Sequence, residues 1–548
     1  MAAPISTNNV CSDDARPVTY HPNVWSDYFL RYTSELTEIS VAKKEEHERQ
    51  KEAIRNLLLQ TRDDSTLKLE LVDAIQRLGI GYHFEEEIHN SLRNIYDTNP
   101  IYNAEDDNLR VAALRFRLIR QQGFPAPCDV FRKFVDEEGE FKSWVSNDVE
   151  GLLNLYEASN FAVHGEEILE KALEFCSLRL EFLTQGMTNS LSMRVKEALK
   201  IPISKTLTRL GARKFMSMYQ EDESHNETLL NFAKLDFNLV QKIHQKELNQ
   251  ITRWWKELDF GKNLPFARDR PVECYFWIVG VYFEPRYGIA RTLLTKIIYL
   301  ASVLDDIYDV YGTLAELTIF TQIIRRWDSD AMDQLPPYMR IYCKALFDVY
   351  VEMEEEMGKI RKSYAVEYAK KEMKRLAEMY FQEAQWAFSK YKPTMKEYLK
   401  VALISSGYMM MTINSLTTIE DLITEEEFNW ILSEPRILRA SLTITRLMDD
   451  LAGYGTEGKM SAVHYYMAEN GVSEGEAFKE VSGIIKSAWK DVNAECVEPR
   501  AASTTILRCV VDFTRVIVLL YSDEDAYGNS QTKTKDLIKS VLVDPLII

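Results

Sequence analysis

The sequence predicts an all-α fold of two helical domains, and three observations carry that prediction. Gly and Pro are scarce, with 21 and 16 among 548 residues, about 4% and about 3%, against usual values near 7% and 5%. Few turn formers per residue favour long helices. Apolar residues recur at helical spacing in segment after segment, and no stretch alternates with the period of a strand. The length, 548 residues, exceeds what one compact core holds, so two or more domains are expected.

Taken in order, residues 1 to about 35 read as an irregular tail with Pro4, Pro17 and Pro22. Its aromatics Tyr20, Trp25, Tyr28 and Phe29 suit packing onto a domain. A charged helix is predicted from about Ala42. Leu71, Ile75 and Leu78 fall at i, i+4 and i+7, with Gly79 as a natural stop. The same spacing predicts helices over 112–122, 149–158, 168–182 and 192–199. The polar run QEDESHNET at 220–228 is the best linker, so the domains are drawn as 1–226 and 227–548. Beyond it the predicted helices lengthen and become more apolar, at 232–248, 289–303 and 437–448.

Composition excludes several function classes. The formal charge is −18, from 66 basic and 84 acidic side chains, which argues against nucleic acid, whose phosphates need a basic footprint. The seven cysteines (11, 128, 176, 274, 343, 496 and 509) are odd in number and scattered, with no CxxC or HExxH. Neither a disulfide framework nor a zinc site is expected. No apolar run approaches the roughly 18 residues that span a bilayer, so no membrane insertion is expected. The first fifteen residues hold no Lys or Arg and include Asp13 and Asp14. That fits neither a transit peptide nor a secretory signal, so a cytoplasmic protein is expected. Without a heptad pattern or an obvious apolar patch, a monomer is expected.

The chemistry centres on Asp305-Asp306-Ile307-Tyr308-Asp309. On a helix Asp305 and Asp309 stand one turn apart on one face, with Asp306 at its edge. Carboxylates crowded on an otherwise apolar helix repel one another, and a bound cation relieves this. Hard oxygen ligands favour Mg²⁺ or Mn²⁺ with substrate phosphate. A solvated acidic turn is the commoner fate of clustered Asp, but the apolar flanks Ile297, Ile298, Leu300, Val303 and Leu304 read as a buried helix. A second acidic group begins at Asp449-Asp450, where Asp449, Gly453 and Glu457 fall at i, i+4 and i+8, one drifting helical stripe. Arg446 sits one turn before Asp450. The basic complement is Arg268-Asp269-Arg270, able to bind a diphosphate bidentately, although a surface ion pair reads equally well from the motif alone. The aromatic run ECYFWIVGVY at 273–282 follows; core packing is the default for most of its rings, and one or two could face a cation.

In this order the motifs resemble those of plant terpene synthases, specifically the angiosperm sesquiterpene synthase group, over nearly the whole chain. The N-terminal half contributes Arg16-Pro17 followed by Trp25, Tyr82-His83-Phe84-Glu85, Leu155-Tyr156-Glu157-Ala158 and Lys234-Leu235-Asp236-Phe237-Asn238. Trp254-Trp255-Lys256, the RDR, the DDIYD, 444–450 and Trp489-Lys490-Asp491 follow. The resemblance implies a C-terminal class I terpenoid synthase bundle and an N-terminal class II-like relic, without a DxDD acid motif. It implies that Asp305, Asp306 and Asp309 hold two Mg²⁺ and Asp449 with Glu457 a third, Mn²⁺ being a possible substitute. Arg268, Arg270 and Arg446 would bind the diphosphate. Trp277 would face the carbocation, Tyr408 would lie in a kinked helix segment, and Asp525 and Tyr527 in a lid loop. The implied activity is that of a lyase that ionises farnesyl diphosphate and cyclises the cation to a C15 product. Pro17, where monoterpene synthases usually carry a second Arg, favours the C15 substrate.

Three features depart from the family pattern. Position 453 is Gly where Ser or Thr is usual. The stretch EGKMSAVHYYM at 457–467 is about four residues short and lacks the usual Arg-Gly, with Lys459 a stand-in for the charge. Arg16-Pro17 to Trp25 is one residue short. The rival reading is therefore a weak or inactive helical relative that binds a diphosphate or a partner without turnover. A chain-elongating prenyltransferase is third, since it would carry a second DDxxD.

Overall fold

A computed structural model describes residues 22–63, 65–98, 108–421, 423–455, 460–522, 525–527, 529, 531 and 533–548. Cys11, Arg16, Pro17, Tyr20, Glu457 and Lys459, which the sequence singles out, lie outside the described residues. Among the described residues the chain forms helices and 3₁₀ turns and no strand; one isolated antiparallel bridge joins Val135 and Phe141.

The predicted helices form, usually a residue or more longer at each end. The charged one runs Val41–Gln60 and is capped by Ser40, whose side chain accepts the Lys43 N–H. The next, Thr66–Arg77, buries Leu69, Val72 and Ile75 and stops where Gly79 takes φ +75°. A Cβ on Gly79 would lie 2.7 Å from that of Ala212, so the helix end and the helix Thr208–Gln220 meet where only glycine fits. Leu109–Gln121, Val149–Ser159, Glu167–Thr184 and Ser190–Lys200 cover the remaining N-terminal expectations.

Two large cores result. The first joins Ile54, Leu58, Leu69, Leu92, Phe116, Leu155 and their neighbours. The second joins Trp277, Leu294, Leu300, Phe320, Tyr350, Tyr408, Ile444 and Phe513. The polar run at 220–228 is a turn between Thr208–Gln220 and the 32-residue helix Glu227–Leu258. That long helix serves both cores: Leu229, Leu230, Phe232 and Phe237 pack in the first, Leu248 and Ile251 in the second. Side-chain packing therefore runs on through the boundary that polarity alone suggests.

Three further ties join the halves. Trp25 and Phe29 of the N-terminal tail are buried in the second core. Asp236, on the long helix, accepts from Tyr82 Oη at 2.8 Å, and the Nε2 atoms of His47 and His83 each lie 2.9 Å from the same oxygen. Burial pushes that carboxyl up, but bonds from His47 and His83, the charge of His83 and the Tyr82 bond hold it well below the usual range. At Gly123, φ +91°, the carbonyl accepts the Glu498 N–H at 2.8 Å, and a Cβ would stand 2.7 Å from the Cys496 carbonyl.

The six described cysteines form no disulfide, as the scattered spacing predicts. One stretch, Pro285–Tyr311, is long and apolar enough to cross a bilayer, contrary to the expectation from the sequence. Its apolar window is 78% buried inside the protein, as befits a core helix.

Candidate active site

The DDIYD stretch does not lie on one α-helix. The helix Gly288–Asp306 ends inside the motif and a π-helical turn, Ile307–Tyr311, takes over. The Gly312 N–H bonds to the Ile307 carbonyl at 2.9 Å, and the capping box of Thr313 and Glu316 starts the next helix at once. A Cβ on Gly312 would lie 2.6 Å from Leu317 Cδ2, so the chain opens by one residue to make this corner. The expected single face is thereby split. Asp305 keeps 26% of its side chain exposed and Asp309 is half-buried, while Asp306 is fully buried. Asp306 accepts the Arg268 N–H at 2.7 Å and its Nε at 3.0 Å; the same guanidinium reaches Asp305. Two of the three repelling charges are thus paired with Arg268.

The RDR turn is organised around its central acid. Asp269 accepts from Asn23 at 3.2 Å, Trp255 Nε1 at 2.6 Å and Tyr299 at 3.4 Å, which ties the N-terminal tail to the turn. Burial raises its carboxyl, and those three bonds oppose the rise. Arg270 is fully buried and its Nε donates to the Tyr527 carbonyl at 3.4 Å. Arg268 lies over the Tyr527 ring at 5.7 Å. Both arginines therefore touch the 525–527 segment, where Asp525 accepts the Tyr527 N–H at 3.1 Å.

The second acidic group sits at the end of helix Arg436–Ala452. Asp449 is half-buried and pairs with Arg446 at 2.6 Å. Asp450 is buried and accepts from Arg446 Nε at 2.9 Å, from the Tyr398 hydroxyl at 2.8 Å and from the Ala462 N–H at 2.8 Å. The helix stops there: the Gly453 N–H closes on the Asp449 carbonyl at 2.8 Å, and Gly455 takes φ +77°. The i, i+4, i+8 stripe expected from Asp449 through Gly453 to Glu457 is therefore not one helix. Its cause is the pair of glycines, which favours a helix end over continuation.

Sequence reasoning missed Glu383, on the helix Tyr364–Ser389. Burial pushes its carboxyl up to about 7, with Asp309 and Asp305 adding and Arg446 and the Ser405 hydroxyl bond, 2.9 Å, opposing. One carboxylate thus senses the DDIYD stretch on one side and Arg446 on the other, which places both acidic groups at one end of the bundle. No motif flags it; a lone Glu on a mixed helix has no signal before the fold is known. Tyr521 was missed for the same reason, being close enough to Asp525 and Asp449 for both to raise its hydroxyl beyond the rise due to burial. Asp269 stands inside the RDR motif, which gives its place but not its role as the centre of the turn.

Below the acids lies an aromatic wall. Trp277 comes from the helix Pro271–Val281, which starts with Pro at its first position and is buried on nearly every side. Its ring lies 5.9 Å from Tyr408 and 5.5 Å from Tyr527, and Tyr408 lies 5.8 Å from Phe513. Tyr408 starts a helix just after Gly407, which at φ +79° separates it from the preceding helix, ending at Ser405. Asp305, Asp309, Asp449 and Glu383 offer only oxygen donors, with no His or Cys among them, so the set fits a hard divalent cation such as Mg²⁺.

The fold is that of a class I terpenoid synthase. The chain belongs to the terpene synthase family: residues 24–199 match its N-terminal domain and residues 256–491 its metal binding domain. It is 67% identical over 547 residues to an (E)-beta-caryophyllene synthase of Origanum vulgare, covering 99% of each chain. It is 58% identical to a germacrene-D synthase of Ocimum basilicum, covering 100% of this chain and 98% of the other. Among solved structures it resembles limonene synthase with 2-fluorolinalyl diphosphate, with TM-score 0.90, 33% identity and coverage of 96% and 99%. It also resembles isoprene synthase of grey poplar (Populus x canescens) in complex with three Mg²⁺ ions and dimethylallyl-S-thiolodiphosphate. There the TM-score is 0.87, with 30% identity and coverage of 96% and 99%.

Proposed function

We propose that this protein is a sesquiterpene synthase that ionises farnesyl diphosphate and cyclises the cation to a C15 product, releasing diphosphate. The observation that carries the reading is the Arg268 junction. One guanidinium touches Asp305 and Asp306 and lies over Tyr527, whose ring packs on Trp277. Acid, base and aromatic wall meet at a single residue. Asp305 and Asp309 on one side and Asp449 on the other would hold Mg²⁺, three ions in all, with Glu383 beside them and Mn²⁺ as a substitute. Glu457 is assigned to the third ion with Asp449; Gly453 brings no side chain to it. When bound, the ions supply charge neutralisation for the departing diphosphate.

The chain's own residues do the rest. Asp306 and Asp450 act as struts, fixing Arg268 and Arg446 beside the diphosphate so that their donors are in place before charge develops. Arg270 ties the 525–527 segment down over the site, and closure there excludes water that would quench the allylic cation. Trp277 and Tyr408 turn ring faces to a cation that no carboxylate can be allowed to trap. The protein acts in the cytoplasm as a monomer in this reading.

The test is incubation of purified protein with Mg²⁺ and farnesyl diphosphate, followed by gas chromatography–mass spectrometry, with Asp305→Ala as control. A C15 product absent from the variant is expected, and (E)-β-caryophyllene is the first to seek, given the 67% identical relatives. Silence with both farnesyl and geranyl diphosphate would overturn the reading in favour of a diphosphate-binding relative without turnover.

A further inference from the structure

A cationic cavity of about 170 Å³ lies between the helical halves, lined mostly by the N-terminal half. Its walls come from the helices Ser190–Lys200 and Thr208–Gln220, the turn Ile203–Lys205 and, from the second half, Arg515 and Leu519. Six cationic side chains line it, and three are already engaged. Arg77 is bound to Asp73, Lys214 to Glu197, and Arg515 to Asp512 and the Ser204 carbonyl. The other three, half-buried Arg194 and Lys205 and exposed Lys200, have no carboxylate within ion-pair distance among the described residues.

The remaining acid in the wall does not answer them. Glu157 is buried, accepts the Ile203 N–H at 2.8 Å, and is pushed towards its neutral form by burial. The charges of Asp73, Glu150 and Asp222 act on Arg194 from beyond ion-pair contact, and Asp73 is already shared by Arg77 and Arg117. Arg194 Nε is buried without any hydrogen-bond partner, and Lys205 lies 5.2 Å over the Trp489 ring. Burial, with Lys486 adding, lowers the Lys205 amine to about 8. Two half-buried cations with no carboxylate in ion-pair contact have room for a closer counter-charge, which an anion from outside supplies.

We propose that this cavity is a second anion site that takes a diphosphate group on Arg194, Lys205 and Lys200, without metal. A polyanion is specified because three separate cations face one space, and a monovalent ion would answer only one of them. The volume is below the usual range for sites that enclose a drug-sized ligand, so a C15 chain does not enter. Two sources share the chemistry: free diphosphate, and the head group of a prenyl diphosphate with its chain directed outward.

The experiment is isothermal titration of inorganic diphosphate into full-length protein in EDTA, which silences sites that depend on a divalent ion. Saturable binding is expected, weakened tenfold or more by Arg194→Gln and by Lys205→Gln and unchanged by Asp305→Ala. Circular dichroism checks that the variants fold; each removes an unmatched charge, and either one alone suffices. Dimethylallyl S-thiolodiphosphate as a second titrant distinguishes the sources: equal affinity assigns free diphosphate, tighter binding the prenyl head group. No binding in EDTA, or binding indifferent to Arg194→Gln and Lys205→Gln, overturns the proposal.

Discussion

Asp450→Ala removes the carboxylate from which the second acidic group hangs. Its side chain is 1% exposed and serves three donors: the Arg446 guanidinium, the Tyr398 hydroxyl and the Ala462 N–H. Breaking a buried ion pair by deleting one partner costs about 3–5 kcal/mol, and the neutral donors left unmet are part of that cost once water enters. Unfolding entropy of about 2.1 cal/mol/K per residue, over the roughly 320 residues of the C-terminal half, gives ~0.7 kcal/mol/K. The expected fall in Tm is therefore about 4–7 °C, read at one fixed scan rate because large chains unfold irreversibly. Asp450→Asn keeps an acceptor for Tyr398 and Ala462, so about half that fall is expected. Asp449→Ala supplies the contrast. It is half-buried and its ion pair with Arg446 is partly exposed, so Tm should stay within about 1 °C while kcat/KM drops ~100-fold or more. An Asp450→Ala protein as stable as the parent would refute the assignment of Asp450 as a strut and Asp449 as the working acid.

Arg268→Lys keeps the charge but not the fork that spans Asp305 and Asp306, so kcat/KM should fall ~10–100-fold with charge conserved, measured by steady-state product release. A variant with unchanged kcat/KM would show that the bidentate contact is dispensable. Glu383→Gln removes a carboxylate beside Asp309 and Asp305; the Mg²⁺ concentration for half-maximal activity should rise about tenfold, and an unchanged Mg²⁺ curve would count against its place at the site. Asp236 is held well below its ordinary range, so its contribution to stability is complete above the unfolded value near 4 and is lost as pH falls through the folded one. Acid unfolding followed by circular dichroism should therefore steepen below about pH 4, and Asp236→Ala should flatten that dependence while lowering Tm at pH 7. A parental acid profile in the variant would place the acid-sensitive group elsewhere.

Much of this protein was legible before any coordinates. Helical periodicity with few Gly and Pro predicted the helices, because the burial of one face every 3.6 residues is a local pattern. Asp305, Asp309 and Asp449 stand out because like charges on apolar helices are rare enough to demand a reason, and Arg268 because an RxR suits a diphosphate. Signals failed where the reason was a neighbour distant in the chain. Asp306 looks like its companions in sequence, yet a π turn and the Arg268 backbone turn it inward. Position 453 looked like a missing ligand and is a helix end. Glu383 and Tyr521 carry no local pattern at all, and the RDR motif that holds Asp269 does not show what it binds.

The sequence by itself determined the all-α class, the family and the chemical type of the site, since these follow from residue kinds, spacing and order. Only the tertiary structure decided which carboxylates face outward and which are struts, how the N-terminal tail reaches Asp269, and where unmatched cations gather. Those outcomes depend on contacts such as Asn23 with Asp269 and Ser405 with Glu383, whose partners lie 246 and 22 residues apart. The charge state and orientation of a buried group are set by what packs against it, and chain folding alone brings those neighbours together.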